Sequence, residues 1–152
     1  MTGSDPGLEE TAARHLAFGW GAIVASIALG TLLEGLHAFK LGLYLDVANE
    51  TRRLLWTLAH AHGALLGLVN VAFATSLPKL PSLGPGSRAL ASRTLVAGTL
   101  LLPAGFFLGG LFVYDGDPGL AVLLAPLGAL LVLVAGVAIA LGARRGGGAG
   151  GA

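Results

Sequence analysis

Charged side chains in this chain fall in clusters, and four long apolar runs lie between the clusters. The intervals are 25 residues between Arg14 and Lys40, broken only by Glu34, 25 between Arg53 and Lys79, 21 between Arg93 and Asp115, and 26 between Asp117 and Arg144. About 20 residues of helix, rising about 1.5 Å each, cross roughly 30 Å of hydrocarbon. Each run therefore predicts one membrane-spanning helix. Together they predict an all-α, polytopic, four-transmembrane-helix bundle, a single domain over residues 1–143 followed by a flexible Gly-rich tail over 144–152.

Punctuation between the runs sets the expected boundaries. "AFKLGLYLD" contains no breaker except Gly42, so the first helix is expected over about 14–45, with a tight turn at 46–49. Asn49 is a suitable N-cap for a second helix over 50–77, closed by Pro78. "PKLPSLGPGSRALAS" reads as an irregular loop, the third helix as 93–114, "DGDP" as a short turn and the fourth helix as 119–143. Pro103 and Pro126 are expected to kink their helices, and Gly105 with Gly109 forms a small-xxx-small pair suited to close helix packing.

Composition supports lipid as the solvent: 55% of residues are hydrophobic and 11% charged, against about 25% charged in an ordinary soluble domain. The net charge of +1, with basic residues at run ends, argues against nucleic acid as a partner. Having no cysteine, the chain is without disulfides, thiolate metal sites, covalent c-type haem attachment and cysteine nucleophiles. It also offers no nucleophile with a matching base, no P-loop and no dinucleotide-binding glycine pattern. The acidic "MTGSDPGLEETAAR" reads as a retained tail. Arg14, Lys79, Arg88, Arg93, Arg144 and Arg145 would share one side and Lys40, Arg52 and Arg53 the other, which predicts both termini in the cytoplasm. A multi-pass protein of the bacterial inner (plasma) membrane is the expected setting, from the Ala-, Gly- and Leu-rich composition and the lack of a targeting segment.

Polar residues inside the runs are few and aligned. At about 100° per residue, Gly19, Ser26, Gly30 and His37 share one line on the first helix, with Glu34 to one side. Trp56, His60, Gly63, Gly67, Asn70 and Ala74 share one line on the second, whereas His62 lies nearly opposite His60, beside Leu55, Leu66, Val69 and Phe73. Folding the two helices antiparallel about a turn at 46–49 pairs His37 with His60, Glu34 with Gly63, Gly30 with Gly67 and Ser26 with Asn70. The seam Ser26, Gly30, Gly63, Gly67 and Asn70 is thus expected to pack the helices, bringing Glu34, His37 and His60 together.

A carboxylate at membrane depth costs about 2.5–3.5 kcal/mol on insertion scales and is functional by default. Glu34-x-x-His37 places acid and imidazole one turn apart, and His60 adds a third ligand, a set suited to Zn, Fe or Cu with one open position. Haem b held by His37 and His60 is the second expectation. The alternative is a non-catalytic membrane subunit or assembly factor in which Glu34, His37 and His60 only fix helix packing. Either would have the lipid bilayer, and a homo-oligomer or larger membrane complex, as surroundings. The segment "AHAHGALLG" resembles the histidine-glycine region of a haem-ligating helix in the catalytic subunit of haem-copper oxidases, over about ten residues. That resemblance implies an axial imidazole from His60 or His62. It does not extend to the copper centre, whose three further histidines nothing in this chain supplies.

Overall fold

Asp5 and Pro6 start the first helix well ahead of the apolar run. The computed structural model describes residues 5–46, 50–80 and 82–147. In it α1 spans Pro6–Ala38, with the Asp5 side chain accepting from Gly7 N–H at 2.9 Å and proline in the first turn, where its missing N–H is no loss. Arg88 donates to the other Asp5 oxygen at 2.8 Å, tying this cap to the third helix. α1 then ends seven residues short of the expected Leu45. Lys40 takes φ 52°, its N–H reaches His37 O, and Leu41 N–H reaches back to Leu36 O, both at 3.0 Å. This is a Schellman ending with lysine in the left-handed position usually given to glycine.

α2 spans Thr51–Ser76 and runs into a 3₁₀ turn at Leu77–Lys79. Asn49, expected to cap it, lies outside the described residues. α3 spans Pro85–Leu111, starting eight residues earlier than expected because Gly84-Pro85 opens a helix rather than continuing a loop. A two-stranded hairpin follows: β1 (Val113–Tyr114) pairs antiparallel with β2 (Asp117–Pro118). Its turn residues Asp115 and Gly116 take φ 47° and 92°, the twist that suits a two-residue connection. A 3₁₀ segment at Leu120–Leu123 leads into α4, Leu124–Gly147. Pro126 therefore sits in the first turn of α4 and not at a mid-helix kink, whereas Pro103 is inside α3. Arg144 and Arg145 belong to the last turn of α4 rather than to a tail.

Extended interfaces join consecutive helices: α1 with α2, α2 with α3, α3 with α4. All three are antiparallel, so the starts of α1 and α3 share one end, here called the base, with the ends of α2 and α4; the opposite end is the crown. Glycines set the close approaches. A Cβ on Gly19 would stand 2.8 Å from Gly67 O, one on Gly67 2.9 Å from Gly19 O, and one on Gly98 2.8 Å from Gly128 O. Gly105 and Gly109 lie against Ala125 and Val122, a contact a larger residue would prevent.

Two buried clusters stabilise the ends. Phe73, Leu77, Leu83, Ala91, Leu95 and Ala135 form the base cluster, and Leu33, Tyr44 and Trp56 the crown cluster. At the crown Trp56 stacks between Tyr44 and Phe107, with centroids at 6.3 and 5.6 Å, and donates its Nε1–H to Phe107 O at 3.1 Å. Arg52 joins Gly110 O at 2.9 Å to Leu43 O at 3.1 Å, clamping the α1–α2 connection to the end of α3. Between the clusters Ile23, Leu55, Leu66 and Leu102 are also buried, but many large apolar residues face outward. Only 17% of the most apolar window of α4 is buried, and Trp20, Val24, Ile27 and Leu32 on α1 are all more than half exposed. Among the described residues four helices are long and apolar enough to cross a membrane.

Candidate functional site

α1 and α2 meet through the small residues of their seams, but in a register two helical turns away from the expected one. His60 lies on Gly30 and Gly63 lies on Ser26, where His37 and Glu34 were expected. Seven residues are close to two full turns, so the slip returns the same faces to contact. Its cause is the early end of α1. The helices turn back at Ala38 and Thr51, so every facing pair moves toward the base.

His60 is consequently built into α1. Its ring rests on Gly30, the nearest ring atoms 2.5–3.1 Å from where a Cβ would be. Its Nδ1–H donates to the backbone oxygen of Ser26 at 2.7 Å. A carbonyl only accepts, so that bond puts a proton on Nδ1, and in the neutral imidazole the lone pair is then on Nε2. The half-buried ring forms one wall of a groove of about 220 Å³, whose lining also includes Glu34, His37, Tyr44 and Thr57.

Glu34 and His37 occupy the same groove differently. Both side chains are exposed, and neither forms a hydrogen bond or ion pair among the described residues. His37 stands edge-on to Tyr44 with centroids 6.5 Å apart, and Tyr44 Oη is 3.5 Å from Thr57 Oγ1. Among the described residues no three His, Asp or Glu side chains converge closely enough to hold a metal ion. The expected three-ligand set is therefore not assembled, although its members share one groove. His62 points elsewhere: its Nδ1–H donates to Leu58 O on its own helix at 2.8 Å, and its ring lies 5.1 Å from that of Phe106.

The most complete polar network sits at the base, centred on His15. His15 is fully buried. Its Nδ1–H donates to Asn70 Oδ1 at 2.7 Å, and its Nε2 is 2.8 Å from Ser92 Oγ, which also accepts from Arg14 Nη2 at 2.5 Å. Asn70 Nδ2 donates in turn to Leu66 O at 2.8 Å and Thr99 Oγ1 at 2.9 Å, and Thr99 donates to Leu95 O. Asn70 thus pairs with His15 and Thr99, not with Ser26 as expected. The chain of donors, Arg14 to Ser92 to His15 to Asn70 to Thr99, links three helices, and no buried side-chain nitrogen or oxygen among the described residues is left without a partner. A signal for it was present: His15 continues the line of Gly19, Ser26 and Gly30 one turn toward the base.

No family model, no curated protein and no solved structure matches this chain. The groove and its free nitrogen therefore carry the functional argument.

Proposed function

We propose that the protein is an integral membrane protein that holds a b-type haem through Nε2 of His60, in a redox or metal-related role. The observation that carries the reading is the 2.7 Å bond from His60 Nδ1–H to Ser26 O. A ligating histidine typically donates its other ring N–H to a backbone carbonyl or carboxylate, which fixes the tautomer and makes the ligating nitrogen more basic. Haem iron needs one such imidazole from the protein, whereas a bare Zn, Fe or Cu ion needs three or four convergent ligands. The donor set around His60 suits the first.

His60 would hold the iron, Leu33 and Tyr44 would shield the macrocycle, and Glu34, His37 and Thr57 would supply polar contacts at its edge. When bound, the iron supplies electron transfer or a polarising Lewis-acid centre. The groove is smaller than the 300–1,000 Å³ usual for pockets that bury a ligand. A homo-oligomer or larger membrane complex would then cover the open side. In the membrane setting proposed here, the bacterial plasma membrane with cytoplasmic termini, Glu34 and His37 lie at the crown's headgroup level. The 20-residue rise from Arg14 to Glu34 spans about 30 Å.

A second reading is supported by the seating of His60 on Gly30: the imidazole serves only to lock α1 to α2 in a non-catalytic subunit. Optical spectroscopy of the detergent-purified chain, with haem supplied during expression, separates the two. The haem reading requires a Soret band at one haem per chain that disappears in His60→Ala. Absence of the band, with His60→Ala merely less stable, would leave the packing role.

A further inference from the structure

α1 and α3 both pack on α2 without an extended interface of their own, and a groove runs between them over most of their length. Its base segment, about 380 Å³, is lined by Arg14 and Phe18 from α1 and by Arg93 and Leu100 from α3. The middle segment, about 400 Å³, shares Phe18 and Leu100 and continues past Ala25 and Pro103 over Gly63. A third, about 260 Å³, shares Ala25 and Pro103 and reaches Phe107 near the crown. From the two arginines onward the lining is almost entirely apolar or small.

We infer that this groove holds one anionic glycerophospholipid, its phosphate between Arg14 and Arg93 and an acyl chain along the α1–α3 cleft. The inference rests on the membrane reading above, but not on the haem. Charge complementarity selects the occupant. Arg93 is exposed and forms no hydrogen bond or ion pair among the described residues, and the Arg14–Ser92 bond uses only one of the guanidinium's donors. Two cations at the mouth of an apolar cleft match a phosphate attached to hydrocarbon. An apolar helix from another chain would fill the cleft and leave both arginines without a counter-charge.

Depth agrees with this assignment. Both arginines lie about two turns inside their helices, and the apolar stretches beyond them, Arg14 to Glu34 and Arg93 to Leu111, rise about 30 and 27 Å. The guanidinium groups therefore sit at one boundary of a hydrocarbon layer of roughly 30 Å. Ser92 and His15 hold Arg14 from behind, so its guanidinium is positioned before any lipid arrives.

Native mass spectrometry of the full chain, extracted in mild detergent and mixed with equimolar dioleoyl-phosphatidylglycerol and dioleoyl-phosphatidylcholine, tests the inference. One phosphatidylglycerol per chain should be retained in preference to phosphatidylcholine. Arg93→Gln, which breaks no hydrogen bond or ion pair among the described residues, should lower that preference about fivefold, as expected for one basic residue near a phosphate. Gly21 lines the middle segment and has open space where a Cβ would go. Gly21→Leu should therefore block retention of both lipids while leaving circular dichroism unchanged. Equal retention of the two lipids, an unchanged preference in Arg93→Gln, retention in Gly21→Leu, or a dimer that seals the cleft each overturns the inference alone. Recovery of the chain from cells without detergent overturns it together with the membrane reading.

Discussion

Two histidines at opposite ends of the α1–α2 pair show what separates a structural imidazole from one able to bind a ligand. His15 has both nitrogens engaged, by Asn70 and Ser92, and no exposed surface. His60 has one nitrogen engaged by the Ser26 carbonyl and the other without a hydrogen bond among the described residues, on a ring that lines a groove. The base histidine completes a closed network of neutral donors around one arginine; the crown histidine is oriented by the same kind of bond but retains a lone pair. Burial and hydrogen-bond number alone would rank His15 as the more important residue. The unused nitrogen is what makes His60, and not His15, the candidate ligand in the function proposed above.

The largest effect expected from this contrast is spectroscopic. His60→Ala should remove the haem Soret band entirely, whereas His15→Ala should leave its position and intensity unchanged and lower stability by about 2 kcal/mol, from two lost hydrogen bonds and the cavity. Denaturation of the detergent-solubilised variants, followed by circular dichroism, measures the second part. A His15→Ala protein that loses haem while still folded would erase the distinction. Next in size, Gly30→Ala places a methyl within 2.5 Å of the His60 ring. It should destabilise the α1–α2 pair by about 1–3 kcal/mol through overpacking, and shift or weaken the Soret band as the imidazole is displaced.

A smaller change with the opposite sign is expected at Lys40. With φ at 52°, Lys40→Gly relieves the left-handed strain and should stabilise the protein by about 0.5–1 kcal/mol, read as a raised thermal midpoint with the spectrum unaltered. The smallest effect concerns pH at the base. The hydrogen bond from Arg88 holds the Asp5 carboxyl below its usual range, with help from Gly7 N–H. A lowered folded pKa stabilises above the unfolded value of about 3.9 and is lost as pH falls through the folded value. Asp5→Asn should therefore flatten the acid limb of the midpoint-against-pH curve slightly, without changing the crown.

The helices and the contacting faces were legible because an apolar run between charges and a line of small residues are both local patterns. The register was not. Its determinant is the ending at Lys40, where a non-glycine residue takes a left-handed conformation that hydropathy and Gly42 both argue against. One misplaced end moved His37 and Glu34 two turns from the partners expected on α2. The starts of α1 and α3 were missed for a different reason: Asp5-Pro6 and Gly84-Pro85 are capping signals, and they precede the apolar runs from which the helices were read. The role of His15 is not legible in the sequence because its partners Asn70 and Ser92 come from α2 and α3, and a pairing across three helices leaves no periodicity in any one of them.

The bond between His60 and Ser26 has a mechanical corollary. Its acceptor is a main-chain oxygen in the middle of a helix, and the ring reaches it only because Gly30 has no side chain to intervene. Any pull on the imidazole is delivered directly to the α1 backbone, with no flexible side chain to absorb it. The imidazole is thereby tied to the main chain of a rod whose opposite tip is held by Asp5 on Arg88.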